Sequence, residues 1–382
     1  MYKRTIDFIK DLYGSARVPL HAPCFPGNEK KYLAECIDTT FVSSVGAFVD
    51  RFEKDMQAYT GTSRAVVCVS GTNALHMSLL LAGVERGDIV LTQPLTFVAT
   101  CNALSYIGAE PVFIDVDRDT LGLSPAAMQK WLAENAEMRE GRCFDRQSGQ
   151  PVKACVPMHT FGHPVHLDEL VDVCKTWNIA LVEDAAESIG SLYKGRHTGT
   201  FGQIGALSFN GNKTITTGGG GMLLFQDPEL GSLAKHLTTQ AKVPHRWAFI
   251  HDHIGYNYRM PNINAALGCA QLEYLDRFIE NKRHTASAYQ SFFERVEGLH
   301  FFTEPEGCRS NYWLNVVILK DREAQQTFLL ETNDAGIQTR PVWELMPRLE
   351  MFRNCRTDGI ANAIWLADRI VNIPSGVRPE EL

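Results

Sequence analysis

Residues 65–225 alternate between short apolar runs and stretches whose apolar residues recur at helical spacing. The runs contain few polar positions, which favours strands that are buried on both faces. Such strands, separated by helices, are typical of a largely parallel sheet in a large α/β/α domain, with functional residues at the carboxyl ends of the strands. We therefore predict a seven-stranded sheet with strands at 65–69, 89–91, 111–116, 152–158, 179–182, 206–209 and 222–225.

The pattern changes after residue 260. Apolar residues at helical spacing over 264–296 predict one or two long helices, followed by a strand at 313–319, a helix at 323–335 and a strand at 370–374. We therefore predict a large domain at 1–260 with an N-terminal arm, and a linking helix with a small C-terminal α+β domain at 261–382. Segment 136–151 contains glycines and many charged residues, and it interrupts the alternation of apolar runs and helical stretches. We predict that it forms an excursion at the protein surface between a helix and the next strand.

Composition narrows the class of protein. The 382 residues carry a formal net charge of −7, which argues against a general nucleic-acid binder. No run approaches the roughly 18 apolar residues of a membrane span, and the charged first 14 residues do not resemble a signal peptide. The ten cysteines are scattered singly, which argues against a disulfide framework or a zinc site. We expect a cytoplasmic protein that needs no metal.

Three segments at predicted strand ends carry candidate chemistry. Ser70-Gly71-Thr72-Asn73 joins a strand to a helix, so its backbone N–H groups could hold a phosphate or could form an ordinary helix cap. Asp184 follows the apolar run at 179–182 and could pair with a protonated ring nitrogen or begin a helix.

The third segment contains Lys213, which lies between a strand and the four glycines at 218–221. A lysine in such a pocket attacks aldehydes readily, although an isolated lysine is more often a surface residue. A phosphate turn, a carboxylate and a lysine at one edge of one sheet together favour a site for pyridoxal phosphate (PLP).

The motifs also resemble those of a known family, the DegT/StrS nucleotide-sugar aminotransferases, a branch of the fold type I PLP-dependent transferases. The resemblance covers residues 19–375. It rests on Ser-Gly-Thr at 70–72, Thr-Phe-Val-Ala-Thr at 96–100, Glu-Asp-Ala-Ala-Glu at 183–187, Ser-Phe at 208–209 with Lys213, and Gly-Tyr-Asn-Tyr-Arg-Met at 255–260.

The resemblance implies roles for particular residues. Lys213 is expected to form the Schiff base with PLP and to move the substrate proton, and Asp184 to hold the pyridine nitrogen. Glu187 is expected near the ring hydroxyl and Phe97 on the ring face. The phosphate is expected to contact Gly71, Thr72, Asn73 and Ser208, with Asn257 reaching the phosphate of the partner subunit in a homodimer.

A narrower likeness concerns the substrate. Several segments are similar to enzymes that aminate C4 of a nucleotide-linked 2-acetamido-4-keto-6-deoxyhexose on the way to legionaminic acid or bacillosamine, with L-glutamate as the implied amino donor. We expect His159, Tyr312 and Arg340 to contact the substrate. The segments are 20–23, 27–32, 41–46, 157–163, 339–343 and 371–375, together with the excursion at 136–151.

Three other functions compete with this interpretation. A PLP-dependent sugar dehydratase of the same family is disfavoured, because those members carry His where this chain has Lys213. A noncatalytic regulator or scaffold with the same fold would show no PLP band that shifts with glutamate. An enzyme that handles amino acids would accept small α-keto acids rather than a nucleotide-linked sugar.

Overall fold

The computed structural model describes residues 1–43 and 45–382, so Ser44 of the motif at 41–46 lies outside the described residues. The described helices are α1 Lys3–Tyr13, α2 Glu29–Asp38, α3 Ala47–Thr60, α4 Gly71–Leu81, α5 Val98–Ile107, α6 Pro125–Asn135, α7 Leu167–Thr176, α8 Pro228–Thr238, α9 Asn262–Leu272, α10 Leu275–Phe293, α11 Arg322–Asp334 and α12 Ala361–Ala367. The described strands are β1 Arg64–Cys68, β2 Ile89–Thr92, β3 Glu110–Phe113, β4 Ala136–Arg139, β5 Arg142–Asp145, β6 Val152–Val156, β7 Ala180–Asp184, β8 Leu192–Tyr193, β9 Arg196–His197, β10 Ile204–Ser208, β11 Gly221–Phe225, β12 Lys242–Val243, β13 Ile250–His251, β14 Leu299–Phe301, β15 Cys308–Arg309, β16 Asn315–Leu319, β17 Arg340–Pro341 and β18 Ile370–Ile373.

A seven-stranded sheet in the order β1-β11-β10-β7-β6-β2-β3 confirms the predicted fold class. β10, β7, β6, β2 and β3 run parallel, and β11 runs antiparallel to β1 and β10 on either side of it. Apolar side chains of β1 enter separate cores on the two faces of the sheet, with Val67 on one side and Val66 on the other. This burial on both faces explains why the strands are nearly continuous apolar runs.

The sheet brings the ends of three strands to one edge. Gly221, at the start of β11, pairs with Cys68 at the end of β1 and with Ser208 at the end of β10. β7 runs parallel to β10 and ends at Asp184 on the same edge. The predicted phosphate turn, carboxylate and lysine therefore lie at the same edge of the sheet.

A second, four-stranded antiparallel sheet in the order β14-β16-β18-β17 lies in the C-terminal part of the chain. It packs with α10 and α11 around a core that contains Tyr289, Phe328 and Val317. Ile9 of α1 enters the same core, so the N-terminal helix contacts the C-terminal unit rather than the large sheet. The domain boundary after residue 260 stays a prediction.

The excursion at 136–151 contains a β-hairpin, which the sequence pattern did not predict. β4 and β5 pair antiparallel from Ala136 with Asp145 to Arg139 with Arg142. The two turn residues, Glu140 and Gly141, both have positive φ, at 51° and 75°, as in the tight turns that suit the twist of a hairpin. Asp145 is buried and accepts a hydrogen bond from Arg356 at 2.8 Å, which fixes the base of the hairpin.

No helix in the described part of the chain is both long and apolar enough to cross a membrane.

Glu183, the residue before Asp184 in β7, holds the loop that precedes β10. Its buried carboxylate accepts hydrogen bonds from the N–H groups of Gly199 at 2.7 Å, Phe201 at 2.6 Å and Gly202 at 2.7 Å. His159 Nε2 lies 3.0 Å from the same carboxylate. Burial alone would raise the pKa of Glu183, but the hydrogen bonds from His159, Gly202 and Gly199 outweigh it and hold the pKa below its usual value.

We expect Glu183→Ala to lower the free energy of unfolding by about 3 kcal/mol or more, because it leaves buried donors without an acceptor. Since the folded state holds this pKa down, the carboxylate stabilises the protein at neutral pH, and this contribution is lost as the pH falls through the lowered value. Thermal unfolding measured from pH 8 down to about pH 2 would cover both effects. Glu183→Gln serves as the matched control, and an unfolding temperature of Glu183→Ala equal to that of the unmodified protein at pH 7 would contradict the assignment.

Candidate active site

A cavity of about 320 Å³ opens where β1, β7 and β10 end. Two tryptophans, Trp313 and Trp343, reach it from the C-terminal part of the chain. Seven of the residues predicted from the sequence line it, namely Gly71, Thr72, Phe97, Asp184, Glu187, Ser208 and Lys213. The structure thus brings these residues together, and their individual roles toward PLP stay predictions.

The N-terminus of α4 forms one wall of the cavity. Ser70 caps the helix, because its hydroxyl accepts the N–H of Asn73 at 3.2 Å. A Cβ atom at Gly71 would lie 2.8 Å from Cβ of Ser208, so only glycine lets the helix start this close to β10. The free N–H groups at this terminus and the Ser208 hydroxyl suit a phosphate group. Asn73 directs its side chain to Ser70, with 2.6 Å between the two oxygens, and does not line the cavity.

Asp184 supplies a buried carboxylate that is only 2% exposed. Thr100 donates to one oxygen at 2.7 Å, and the N–H of Ala186 donates to the other at 3.1 Å. Burial raises the pKa of Asp184, while these two hydrogen bonds and the charge of Lys213 oppose the rise. No basic group of the described residues forms an ion pair with Asp184, so its charge is available to a cationic ring nitrogen in the cavity.

Lys213 reaches the cavity from the loop after β10. Its Nζ donates to Oε1 of Glu187 at 3.1 Å and lies 4.0 Å from the ring centroid of Trp313. Burial raises the pKa of Glu187 to about 7, against the opposing effects of Lys213 and of the Phe161 N–H, which donates to Oε2 at 2.9 Å. The amine of Lys213 thus contacts a carboxylate on one side and an aromatic ring on another.

Several residues of the site were not identified as candidates from the sequence. Trp343 lines the cavity with its ring centroid 6.0 Å from that of Phe97, and Ala186 and Met158 line it as well. Thr100 orients Asp184, and its hydroxyl also lies 2.9 Å from that of Thr96. The available signal was that Thr100 belongs to the Thr-Phe-Val-Ala-Thr motif at 96–100, which carries part of the family resemblance.

The structure does not bring the predicted substrate residues to this cavity. His159 is fully buried, with Nε2 at Glu183 and Nδ1 accepting the N–H of Val165 at 3.3 Å, so neither ring nitrogen is available to a sugar. Tyr312 is also buried, and its hydroxyl accepts the N–H of Glu304 at 3.1 Å. Neither side chain lines the cavity.

Arg340 and Asn257 do not line the cavity either. Unlike His159 and Tyr312, both are exposed at the protein surface. Arg340 donates to Oδ1 of Asn333 at 3.1 Å and lines a separate surface depression with Arg17. Asn257 forms an isolated bridge with Thr239. A contact of Asn257 with a cofactor in a partner subunit is compatible with this exposure and stays a prediction.

These residues fit PLP on three counts. The helix terminus at Gly71, which lies close to Ser208, offers N–H donors for a phosphate. The carboxylate of Asp184, which forms no ion pair among the described residues, suits a protonated pyridine nitrogen. The amine of Lys213 is positioned to form a Schiff base. The exposed ring of Phe97 and the side chain of Ala186 supply apolar surface for the aromatic ring between these groups.

Comparisons with known proteins agree with this geometry. The model of the DegT/DnrJ/EryC1/StrS aminotransferase family matches residues 23–381. GDP-perosamine synthase of Escherichia coli O157:H7 is 36% identical over 335 residues, which cover 88% of this chain and 87% of that protein.

Two further proteins extend the comparison. The UDP-4-amino-4,6-dideoxy-N-acetyl-beta-L-altrosamine transaminase of Campylobacter jejuni is 34% identical over 259 residues, which cover 68% of this chain and 64% of that enzyme. The crystal structure of the aminotransferase TlmJ from Streptoalloteichus hindustanus superposes with a TM-score of 0.85 at 26% identity and covers 95% of this chain and 94% of TlmJ.

We expect Lys213→Ala to bind PLP but to lose transamination by at least about 10³-fold, because no other amine lines the cavity in the described part of the chain. Borohydride reduction followed by peptide mapping should place the reduced adduct on Lys213 in the unmodified protein and nowhere in the variant. Lys130→Ala, at an exposed position on α6, is the control and should react normally. A reduced adduct on another lysine of the unmodified protein would exclude the assignment.

Proposed function

The chain belongs to the DegT/DnrJ/EryC1/StrS aminotransferase family, and on that premise we propose that it moves an amino group from L-glutamate to C4 of a nucleotide-linked 2-acetamido-4-keto-6-deoxyhexose. The products would be amino sugars of the legionaminic acid or bacillosamine type. The observation that carries the proposal is the amine of Lys213 at the opening of a cavity that also holds the unpaired carboxylate of Asp184. As a member of this family, the protein is a PLP-dependent aminotransferase.

PLP, when bound, supplies an aromatic system that accepts the electrons released when a Cα–H bond of the amino donor breaks. Asp184 keeps the ring nitrogen protonated, since its buried carboxylate has no other cationic partner. The amine of Lys213 would act as the base that accepts the proton from Cα of glutamate and as the acid that donates a proton to C4 of the sugar. Glu187 holds this amine on one side, and the ring of Trp313 limits its movement on another.

Features of the cavity favour a sugar substrate over a small keto acid. Its rim carries the aromatic rings of Phe97, Trp313 and Trp343, which offer flat apolar surface to a sugar ring. Phe97 is 47% exposed, so the cavity is open on its side.

The 2-acetamido group is proposed from the sequence segments that resemble the legionaminic acid and bacillosamine subgroup. The Campylobacter jejuni relative, whose name includes a UDP-linked N-acetyl sugar, supports it. A second candidate is a GDP-linked sugar of the perosamine type, and the 36% identity to the Escherichia coli GDP-perosamine synthase favours that alternative. The two candidates differ in the nucleotide and in the substituent at C2.

A panel of UDP- and GDP-linked 4-keto-6-deoxyhexoses, each with a 2-acetamido or a 2-hydroxyl group, separates the candidates. We expect the glutamate-treated enzyme to return to its original absorption spectrum with the 2-acetamido sugars, with kcat/KM at least about 100-fold above that of the 2-hydroxyl counterparts. The reverse preference would establish the perosamine type. Return of the spectrum with small α-keto acids other than 2-oxoglutarate would indicate an enzyme of amino-acid metabolism, and no spectral change with glutamate would indicate a noncatalytic protein.

We also propose that the active unit is a homodimer in which each subunit completes the site of the other. The segment around β12 and β13 exposes large apolar side chains, with Trp247 at 74%, Phe249 at 82% and Ile254 at 86%, more than a monomer in water normally leaves uncovered. The same segment carries Lys242 and Arg246. Lys213 is the one cationic side chain among the described residues of the cavity, so a second subunit is a natural source of cations for a diphosphate.

Coexpression of two defective chains tests this arrangement. Lys213→Ala removes the amine, and Asn257→Ala should weaken phosphate binding by about 1–3 kcal/mol because a hydrogen bond is lost. If Asn257 serves the partner, each mixed dimer contains one intact site, and random pairing should restore about a quarter of normal activity at limiting PLP. No restoration in purified mixed dimers would place Asn257 outside the site of the partner subunit, and a monomeric mass in solution would exclude the dimer itself.

A further inference from the structure

A second groove, of about 440 Å³, lies at the opposite edge of the large sheet from the active site. Its floor is formed by the first residues of β6 and β7, including Val152 and Ala180, and by Gln203 just before β10. The end of α7 and the hairpin strand β5 form its walls. These strands end at the active-site edge, and the four residue steps from Ala180 to Asp184 span about 13 Å.

The charged side chains of the groove are all cationic. Arg142 of β5, Lys153 of β6 and Lys175 of α7 line it, and no Asp or Glu does so. None of the three forms an ion pair or a side-chain hydrogen bond with any described residue, although Arg142 lies over the ring of Phe144. This local excess of positive charge occurs in a protein with a net charge of −7, so general surface composition does not account for it.

The groove has a defined shape, because the hairpin that forms one of its walls is fixed at both ends. Nδ2 of Asn178, in the loop before β7, donates to the carbonyl of Gly141 at the hairpin tip at 2.6 Å. At the base, Arg356 holds Asp145 at 2.8 Å, and Gln150 donates to the carbonyl of Gly87 at 2.8 Å. A wall with such anchors holds Arg142 across from α7 before any ligand arrives, which lowers the entropic cost of binding.

The floor adds apolar surface to the cationic rim. Val152, Ile179 and Leu181 line the groove and can cover the uncharged part of a ligand. Its volume falls in the range of small-molecule sites, and the side-chain amide of Gln203 supplies a further polar contact. The combination suits a ligand with a compact polyanionic group attached to a less polar body.

We propose that this groove is a second ligand-binding site, separate from the active site, that takes a diphosphate-bearing metabolite of nucleotide size. Arg142 and Lys175 contact the diphosphate from opposite walls, and Lys153 contacts it from the floor. The turn at Phe201 and Gly202 also lines the groove, and its N–H groups donate to Glu183, the neighbour of Asp184 in β7. An occupant of the groove therefore contacts a segment that is bonded directly to the strand carrying Asp184.

Calorimetric titration of the PLP-loaded enzyme with inorganic pyrophosphate and with UDP, at low ionic strength, tests the site. The double variant Arg142→Ser/Lys175→Ser changes side chains exposed to solvent, so it is expected to fold and to keep its transaminase activity. We expect it to lose one binding event per chain, or to bind at least tenfold more weakly at that event, while binding at the active site is unchanged. A binding event that the unmodified enzyme shows and the groove variant lacks supports the site, and the relative affinities of the two probes for that event separate a free diphosphate from a nucleotide.

The matched control is Arg139→Ser/Lys130→Ser, which removes the same total charge at positions outside the groove. Arg139 belongs to the same hairpin and pairs with Glu137, and Lys130 is exposed on α6. This control should bind both probes as the unmodified enzyme does. Equal binding by the groove variant and the unmodified enzyme would overturn the proposal, as would an equal loss in the control, which would mark the effect as general electrostatic attraction.

Discussion

The antiparallel placement of β11 between β1 and β10 is the constraint on which the site depends. Gly221 pairs with the last residue of each neighbour, Cys68 and Ser208, and so sets the two strand ends level. Only glycine fits at position 221, because a Cβ atom there would lie 2.4 Å from the carbonyl oxygen of Ser70. The register of three strands thus sets the distance between the helix terminus that suits a phosphate and the loop that carries the lysine.

Electrostatics within the cavity follow from burial. Asp184 and Glu187 are both almost fully buried, and burial raises the pKa of each. The positive charge of Lys213 opposes both pKa shifts, so one amine partly offsets the desolvation of two carboxylates. This balance leaves Asp184 with two hydrogen-bond donors and no ion pair among the described residues, which is the state in which it can stabilise a cation brought by a ligand.

The parts of the fold and site that the sequence predicted are those governed by local pattern. Strands buried on both faces are uninterrupted apolar runs, and Ser70, Asp184 and Lys213 each follow such a run. The contacts that the sequence did not predict depend on residues far apart in the chain. His159 was expected to contact the substrate, yet Glu183 and Val165 engage both of its ring nitrogens. The hairpin at β4 and β5 was seen only as an excursion, since its short strands are half polar.

Trp313 connects the two units of the chain at the amine of Lys213. Its ring lies 4.0 Å from Lys213 Nζ, its Nε1 donates to the carbonyl of Asn212 at 2.7 Å, and its own carbonyl accepts from the buried Lys282 of α10 at 3.1 Å. A fragment truncated after residue 260 would still contain Asp184 and Lys213 but would lack the indole that encloses the amine. The candidate site therefore cannot be cut out intact with the large sheet, and any shortened version of the protein has to keep both units.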